Sequence, residues 1–500
     1  MRIPVLLATA FAVTALPRDA GRVGTSTPLP DLGPDARALF TDSMNWVDRA
    51  WDERAKFIWS LDRAEPRHGR HLVRETSWYA LGLLQREQPS DRARAIDALN
   101  AVLAQQIREP AERWDGTFYR SPEEPHPPVA GYDPNWREFI GTTFSIILLE
   151  FRDRLPAELN RKMELSIVDA LEGEIKEKRL KPSYTNIALM YGYLWNFAAT
   201  RLHRPDWIKP SEEWIREVYR GFKEHGAFNE FNSPTYYGVD LYGLALWRTY
   251  GSTREIREMG SEMEADLWRS IASFYHAGLK NIAGPYDRSY GMDMRRYVSV
   301  VGLFLRTVLP ADSAPFPDLK EPLSHANDLI FTPLAIAVPT KIPPDAMPSF
   351  REFQHEHLVK QAITGNRVAT AWIANRVAIG GEFTAMSKDA NTPASQFHPA
   401  TIHWNAADEE VGWIRLMDCP RVDASVEPGI LRIQAVGKSQ FRIAAPGLQP
   451  AQIEKQRWTL PGLTVIVDTD AELFNVSQGN GYVDAIYGNA TRFVLRVSKR

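Results

Sequence analysis

Between residues 136 and 270, segments with helical spacing alternate between a charge-poor kind and a charge-rich kind. In chain order, charge-poor first, these segments are 136–151, 157–178, 184–199, 211–225, 236–247 and 254–270. A helix that is apolar around most of its circumference must be buried on all sides, whereas a helix with one apolar stripe covers a core from outside. The alternation therefore predicts antiparallel helical hairpins in an inner and an outer layer, which is an α/α toroid, complete or incomplete.

A change of pattern predicts a second domain. Helical spacing runs from about residue 35 to 310, and prolines accumulate from 310 to 350, where we expect a linker or a wrapping segment rather than long helices. Short β-branched or alternating runs then predict an antiparallel sheet or sandwich, at 368–374, 377–379, 430–434, 463–467 and 492–497.

We therefore predict a mainly α fold, with a toroid domain over residues 30–340 and an antiparallel β domain over residues 345–500. A globin-like heap or a superhelical repeat array is the structural alternative. No repeat of fixed length recurs along the chain, which disfavours the array.

The first twenty residues are typical of a cleavable signal peptide. Arg2 precedes an apolar stretch that ends at Leu16, well short of the roughly 20 residues that a membrane span needs. No later run reaches about 18 apolar residues. We therefore expect a periplasmic or secreted protein without a membrane partner.

Charge and motifs disfavour several classes of function. Lys and Arg number 59 against 62 Asp and Glu, so the net charge of −3 does not indicate a nucleic acid or a membrane surface. The single cysteine, Cys419, cannot form an internal disulfide or a thiolate metal site. Metalloprotease, P-loop, dinucleotide, CxxC and GxSxG motifs are absent from the sequence. We expect no metal and no cofactor.

Four loops of the helical half combine polar and aromatic residues with Gly or Pro. We name them loop A (132–138), loop B (181–186), loop C (228–240) and loop D (283–293). Each joins an outer helix to the next inner helix, so strict alternation places all four at the same rim. Side chains that converge over one mouth of a toroid predict a functional site there.

The polar residues of these loops suit one reaction in particular. Removing the proton α to a carboxylate requires groups that neutralise the carboxylate and hold the developing enolate. Asn186 and Arg288 are suitable donors, and Glu230 is one if burial protonates it. The base is then a histidine, or a tyrosine whose pKa is lowered from about 10 by a nearby cation. This set predicts β-elimination on a uronic-acid polymer, an anionic polysaccharide.

Two other functions stay open. The first is an inverting α/α-toroid glycoside hydrolase, because glycoside hydrolysis needs two carboxyl groups about 5 to 9.5 Å apart across the sugar. Glu230, Asp240, Asp287 and Asp293 are candidates for such a pair. A non-catalytic glycan-binding protein of the same shape is the second, because the 15 Trp, 17 Tyr and 22 Phe offer flat faces on which sugars stack.

Residues 229–238 (NEFNSPTYYG) and 284–293 (GPYDRSYGMD), together with Tyr184-Thr185-Asn186, resemble α/α-toroid polysaccharide lyases. The resemblance is greatest to the alginate and glucuronan lyases of polysaccharide lyase family 38. It implies a metal-independent eliminase of 1,4-linked polyuronates, and we favour glucuronan or cellouronate over alginate. It also implies catalytic residues, with two neutralisers, two proton carriers and an assisting cation: Asn186 and Glu230, Tyr237 and Tyr290, and Arg288.

Many toroid lyases place a histidine beside the carboxylate-binding asparagine, but Asn186 is flanked by Thr185 and Ile187. Either Tyr237 takes that role or a histidine of the β half reaches the site. Because neighbours on a helix point about 100° apart, at most one of Tyr236 and Tyr237 is expected to face the cavity. The residues expected to bind substrate are Trp136, Arg137, Tyr184, Asn232, Tyr236, Tyr286, His398 and His403.

Overall fold

The computed structural model describes residues 31–60, 69–128, 132–320, 323–387, 395–407, 410–417 and 421–499. The predicted signal peptide and Cys419 lie outside these ranges. The described α-helices are α1 (Pro34–Asp48), α2 (Val73–Arg86), α3 (Asp91–Leu103), α4 (Trp136–Glu150), α5 (Ala157–Glu177), α6 (Thr185–Arg201), α7 (Ile208–His225), α8 (Tyr236–Tyr250), α9 (Arg254–Phe274), α10 (Val300–Arg306), α11 (Thr332–Ala337) and α12 (Met347–Arg351).

Burial separates these helices into the two layers that the charge pattern predicts. In α6, 14 of 17 residues are buried, whereas only 4 of 18 are buried in the following helix α7. The inner helices α2, α4, α6 and α8 each pack against the outer helix that follows in the chain. They contact one another in chain order, α8 contacts α10, and α11 contacts both α10 and α2. The helices thus form a ring of hairpins, and the predicted α/α toroid is confirmed.

The proline-rich segment completes this ring. Its helix α11 is entirely buried and carries Pro333 in its first turn, where the missing N–H of proline costs no hydrogen bond. Helices α11 and α12 are short, with six and five residues, as we expect for a segment rich in proline. The segment wraps around the toroid rather than linking two separate bodies.

Within the described residues, five short strands interrupt the helical half, which the periodicity predicted to be entirely α. They have two or three residues each, too few to leave an alternating pattern in the sequence. They are β1 (Trp51–Asp52), β2 (Phe57–Trp59), β3 (His71–Leu72), β4 (Tyr275–His276) and β5 (Asn281–Ile282).

The C-terminal part is antiparallel β, as predicted. Its strands are β6 (His357–Thr364), β7 (Arg367–Ala374), β8 (Val377–Phe383), β9 (Ala400–Ala407), β10 (Glu410–Met417), β11 (Val422–Glu427), β12 (Ile430–Ala444), β13 (Arg457–Leu460), β14 (Leu463–Thr469), β15 (Leu473–Gly479) and β16 (Tyr482–Lys499). They form an eleven-stranded sheet in the order β13-β14-β16-β12-β10-β9-β8-β7-β6, with β11 paired to β12 and β15 to β16.

The first strands of this sheet pack against the toroid. Buried residues of β6 to β8, among them Ile363 and Ile373, belong to the same hydrophobic cluster as the toroid helices. The ring of His276 bonds the carbonyl of Ala374 at 2.9 Å, and Gln361 donates to the carbonyl of His225 at 2.7 Å. In the described ranges, each helix is too short or too polar to span a membrane.

Candidate functional site

Hydrogen bonds connect the four predicted loops in order around one rim. The Asn135 amide of loop A donates to the Tyr184 hydroxyl of loop B at 3.4 Å. The Asn186 amide of loop B donates to Glu230 of loop C at 3.0 Å, and Arg288 of loop D donates to the same carboxylate at 2.8 Å. The outer-to-inner loops therefore meet, and they bring Asn186, Glu230 and Arg288 into direct contact.

Glu230 is the centre of this network. Its Oε2 accepts from the Thr185 hydroxyl at 2.7 Å and from the Asn186 amide at 3.0 Å, while its Oε1 accepts from Arg288 at 2.8 Å. Both oxygens act as acceptors, which is the pattern of a carboxylate rather than of the protonated acid that we considered. The geometry thus assigns Glu230 to orienting the Asn186 amide and the Arg288 guanidinium.

Two tyrosine hydroxyls meet beside Arg288. The hydroxyl oxygens of Tyr236, at the start of α8, and of Tyr290, in loop D, lie 2.7 Å apart. The Arg288 guanidinium carbon is 4.0 Å from the Tyr236 ring centroid, which is a cation–π contact. The Tyr290 ring stacks on His325, with centroids 4.3 Å apart and planes 22° apart.

The pKa of Tyr236, which we predicted to bind substrate, is not lowered in the way that we expected for a tyrosine base. Burial raises it well above its ordinary value, Tyr290 adds to that rise, and Arg288 opposes it. Desolvation outweighs the nearby cation, so the Tyr236 phenol carries its proton in the free protein. Burial also lowers the pKa of Arg288, but Tyr236 and Glu230 raise it by more, so Arg288 stays charged.

Tyr237 does not reach this group. It is completely buried, and its ring lies edge-on to Phe231 with centroids 6.0 Å apart. Burial raises the pKa of its phenol well above the ordinary value. Of the two adjacent tyrosines, Tyr236 is the one whose hydroxyl meets Tyr290 and whose ring meets Arg288, which is consistent with the 100° step of a helix. The structure gives no geometric support to Tyr237 as a proton carrier.

Two residues of loop A that we expected to bind substrate are structural. Arg137 is 1% exposed and donates to Glu174 at 2.9 Å and to Glu177 at 2.8 Å. It also donates to the carbonyl of Asp115 at 2.7 Å. Trp136 is likewise 1% exposed and lies in the hydrophobic core. The sequence pattern could not distinguish a rim residue from one that turns back between α4 and α5.

Asn232 holds loop C to loop D, and Tyr286 holds loop D to the β half, so neither residue faces solvent. The Asn232 amide donates to the carbonyls of Ala283 at 2.7 Å and Pro285 at 2.9 Å. Tyr286 is 1% exposed, and its backbone forms an isolated antiparallel bridge with His398. Both residues therefore serve loop geometry, and neither is accessible to a polymer.

The two histidines of the β half lie behind loop D. His398 and His403 are at most 1% exposed, and the His403 ring bonds the carbonyl of Met292 at 3.0 Å. Burial lowers the pKa of His403 to about 4 and that of His398 well below its usual value. Both rings are neutral at neutral pH, and the structure does not bring either one to the tyrosine pair.

Tyr184 is the predicted binding residue that is most accessible. Its side chain is 38% exposed and stands at the start of α6, next to Asn186. The Arg179 guanidinium lies 5.9 Å from the Tyr184 ring centroid. An exposed aromatic ring beside the polar network is the arrangement on which a sugar face stacks.

Comparison with protein families assigns the chain. The profile described as "Domain of unknown function (DUF8769)" matches residues 37–340. The chain belongs to the DUF8769 family. A second profile, "Domain of unknown function (DUF8770)", matches residues 351–490. No curated protein matches the sequence. The resemblance of this DUF8769 protein to polysaccharide lyase family 38 therefore stays a prediction.

Solved structures are similar to the DUF8769 protein over most of its length. Heparinase III has a TM-score of 0.43 at 8% identity, over 96% of this chain and 88% of that one. A chondroitin AC lyase from Streptomyces coelicolor A3 has a TM-score of 0.41 at 10% identity, over 94% and 80%. Endoglucanase CelQ from Clostridium thermocellum has a TM-score of 0.25 at 8% identity, over 93% and 92%. Because these identities and TM-scores are low, we infer the function from the residues of the site.

Three residues of this DUF8769 site were missed by the sequence analysis. Thr185 bonds Glu230, His325 stacks on Tyr290, and the Gln396 side chain accepts from Arg288 Nε at 2.9 Å. Thr185 was noted only as a neighbour of Asn186. His325 and Gln396 lie in the proline-rich segment and near the sheet, and no local motif relates them to loop D.

A separate cavity of about 690 Å³ lies between α1 and the chain after α10. It is lined by Trp46, Lys280, Arg295 and Phe316, among others, and by none of the predicted site residues. In the described ranges no cluster of three or more His, Cys, Asp or Glu is arranged to hold a metal ion.

Proposed function

We propose that this protein is a polysaccharide lyase that cleaves a 1,4-linked polyuronate by β-elimination. The observation that carries the proposal is one contact network, in which Asn186 and Arg288 share Glu230 beside the Tyr236–Tyr290 pair. It joins the two functions that elimination needs, charge neutralisation and proton transfer, within a few ångströms.

In this proposal the uronate carboxylate binds to Arg288 and takes the place of Glu230 on the Asn186 amide, which is 2% exposed and donates to Thr185 and Glu230 in the free protein. An ionised carboxylate resists loss of the neighbouring proton, because the enolate that forms carries a second negative charge. The Asn186 amide and the Arg288 guanidinium supply hydrogen bonds and positive charge to that oxygen pair. Glu230 holds both donors in place before substrate arrives, which lowers the reorganisation that the reaction requires.

The tyrosine pair exchanges the protons. Tyr290, as a phenolate, removes the hydrogen at C5, and the electrons of that C–H bond form the C4–C5 double bond. The C4–O bond breaks at the same time, and its oxygen receives a proton from the Tyr290 phenol. In glucuronate and mannuronate the two positions lie on the same side of the ring, so one group can serve both steps. Tyr236, protonated and 2.7 Å away, donates to the Tyr290 phenolate and stabilises it.

Hydrolysis is less compatible with the carboxyl groups present. Of the four candidates, Asp240, Asp287 and Asp293 are at most 5% exposed, and burial raises the pKa of Asp240 and Asp287. Glu230 already bonds three side chains. This set offers no second accessible carboxyl group to activate water across a sugar ring.

We favour glucuronan or cellouronate as substrate, with alginate second. Glucuronate and mannuronate differ only in the configuration of the C2 hydroxyl. The export signal predicted at the N-terminus agrees with a polymer that is degraded in the periplasm or outside the cell.

The test is incubation with polyglucuronate, alginate and a neutral glucan, with and without a chelator. We expect ultraviolet absorbance from unsaturated uronate ends with a polyuronate and none with the glucan. Reducing ends without this absorbance would identify a hydrolase, and binding without either product would identify a glycan-binding protein.

A further inference from the structure

A sealed charge cluster lies directly behind loops C and D. Arg367, at the start of β7, pairs with Asp287 of loop D and donates to Glu382 of β8 at 2.8 and 2.9 Å. Asp287 is 4% exposed and Glu382 is completely buried. The cluster therefore connects the sheet to the residue that immediately precedes Arg288.

The same cluster also fixes the residues on both sides of Glu230. Arg367 donates to the carbonyl of Asn229 at 3.3 Å. The Asp287 carboxylate accepts from the backbone N–H of Phe231 at 2.9 Å, and the Asp287 N–H donates to the Phe231 carbonyl at 3.1 Å. One guanidinium and one carboxylate thus hold the backbone before Glu230, after Glu230 and before Arg288.

The cluster has two carboxyl groups for one cation. Burial raises the pKa of both Asp287 and Glu382, and the Asp287 charge raises that of Glu382 further. Glu382 therefore carries a proton and donates it to the Asp287 carboxylate, so that the buried group is neutral overall. A buried, charge-paired group of this kind fixes geometry, whereas removal of one member leaves a buried charge without compensation.

The backbone of loop D also rests directly on the sheet. A Cβ added to Gly380 of β8 would lie 1.9 Å from the carbonyl oxygen of Gly284. Glycine at position 380 thus permits an approach that a larger residue would prevent. The sheet supports loop D by shape as well as by charge.

We propose that Arg367 is a positioning residue of the β domain, which acts through Asp287 and Glu382 to hold Glu230 and Arg288 in their working geometry. The sheet is then part of the active site, although Arg367 itself does not contact substrate. The kinetic part of the test rests on the proposed lyase function, and the structural part does not.

Arg367→Lys is the decisive variant, because it keeps the positive charge but cannot bond three separated acceptors. Arg442→Lys is the matched control, since Arg442 makes two bonds to Asp484, at 2.9 and 3.0 Å, elsewhere in the sheet. For Arg367→Lys we expect kcat to fall about 100-fold with KM changed less than about threefold, the cost of misplaced groups. The control should keep wild-type kcat.

Hydrogen exchange of the intact protein tests the clamp without any substrate. In Arg367→Lys, peptides covering 227–234 and 284–292 should exchange faster, and in Arg442→Lys they should not. If Arg367→Lys does not fold, Asp287→Asn, which keeps the shape of the cluster, is measured in the same way. Unchanged exchange in both loops would overturn the proposal, as would wild-type kcat. If the wild type cleaves no polyuronate, the proposed function fails and the exchange data alone decide on the clamp.

Discussion

Loops C and D have two faces that differ in their exposure to solvent. The open face carries Glu230, Arg288 and Tyr290, which are partly exposed, with the Glu230 side chain at 12% and that of Arg288 at 24%. The sealed face carries Asp287, which pairs with Arg367 at the sheet and is 4% exposed. Asp287 thus belongs to the sealed network, whereas its neighbour Arg288 belongs to the open one.

The difference indicates how chemistry and stability are divided in this site. On the open face Arg288 and Tyr290 keep donor capacity that a substrate carboxylate can use, whereas the groups of the sealed face bond one another. A substitution on the open face should therefore reduce turnover and leave folding unchanged. A substitution on the sealed face should change stability, its pH dependence or the position of the loops.

The largest effect is expected for Tyr290→Phe on the open face. Removal of one hydroxyl deletes the proposed proton carrier, and kcat should fall about 10³- to 10⁴-fold, a loss in the upper range for acid–base groups. The melting temperature should stay within about 2 °C. Tyr219→Phe, on the outer helix α7, is the matched control and should be fully active. Wild-type turnover in Tyr290→Phe would exclude Tyr290 as the proton carrier.

Glu230→Gln should have the second largest effect. The amide keeps the size of the side chain but lacks the charge that holds Arg288, so the two donors are no longer fixed for the enolate. We expect kcat to fall about 10- to 100-fold, which corresponds to about 1.4 to 2.7 kcal/mol of transition-state stabilisation. Steady-state kinetics on polyglucuronate give the value. A kcat equal to that of the wild type would show that Glu230 does not contribute to catalysis.

His403→Gln tests the sealed face through stability. The pKa of His403 is about 4 in the folded protein, against about 6.5 when unfolded, so the unfolded chain gains protons first as the pH falls. This group therefore costs the wild type about 2 kcal/mol of unfolding free energy between pH 7 and pH 5. Urea unfolding at both pH values should show a smaller loss in the variant. The account of His403 is contradicted by an identical pH dependence.

Glu382→Gln should have the smallest effect on activity. Glutamine reproduces the protonated acid that donates to Asp287, so kcat at neutral pH should stay within about threefold of wild type. Because the folded pKa of Glu382 lies above its unfolded value, this group's contribution to stability is lost as the pH rises through the folded pKa. The melting temperature of the variant, relative to that of the wild type, should therefore increase from pH 5 to pH 8. A constant difference would mean that Glu382 is ionised.

The layers and the rim were predictable because they follow from local pattern. Charge-poor and charge-rich segments define inner and outer helices, and strict alternation then places loops A to D at one rim. This placement made Asn186, Glu230, Arg288 and Tyr290 candidate site residues. The orientation of each side chain was not predictable in this way. The Arg137 side chain forms a buried salt bridge to Glu174 at 2.9 Å, and the Tyr237 side chain lies in the core.

Partners from distant parts of the chain were also beyond local pattern. His325 and Arg367 reach loop D from the proline-rich segment and from β7. Neither residue lies in a motif, and only the packing of the sheet and the wrapping segment on the toroid makes them neighbours of the site.

The most direct measurement of the central claim is a crystal structure of Tyr290→Phe with a bound glucuronate oligosaccharide. A uronate carboxylate within hydrogen-bond distance of both the Asn186 amide and the Arg288 guanidinium, with C5 facing position 290, is the predicted result. A sugar bound elsewhere, with Asn186 and Arg288 still bonded to Glu230 and neither of them bonded to a uronate, would contradict the account.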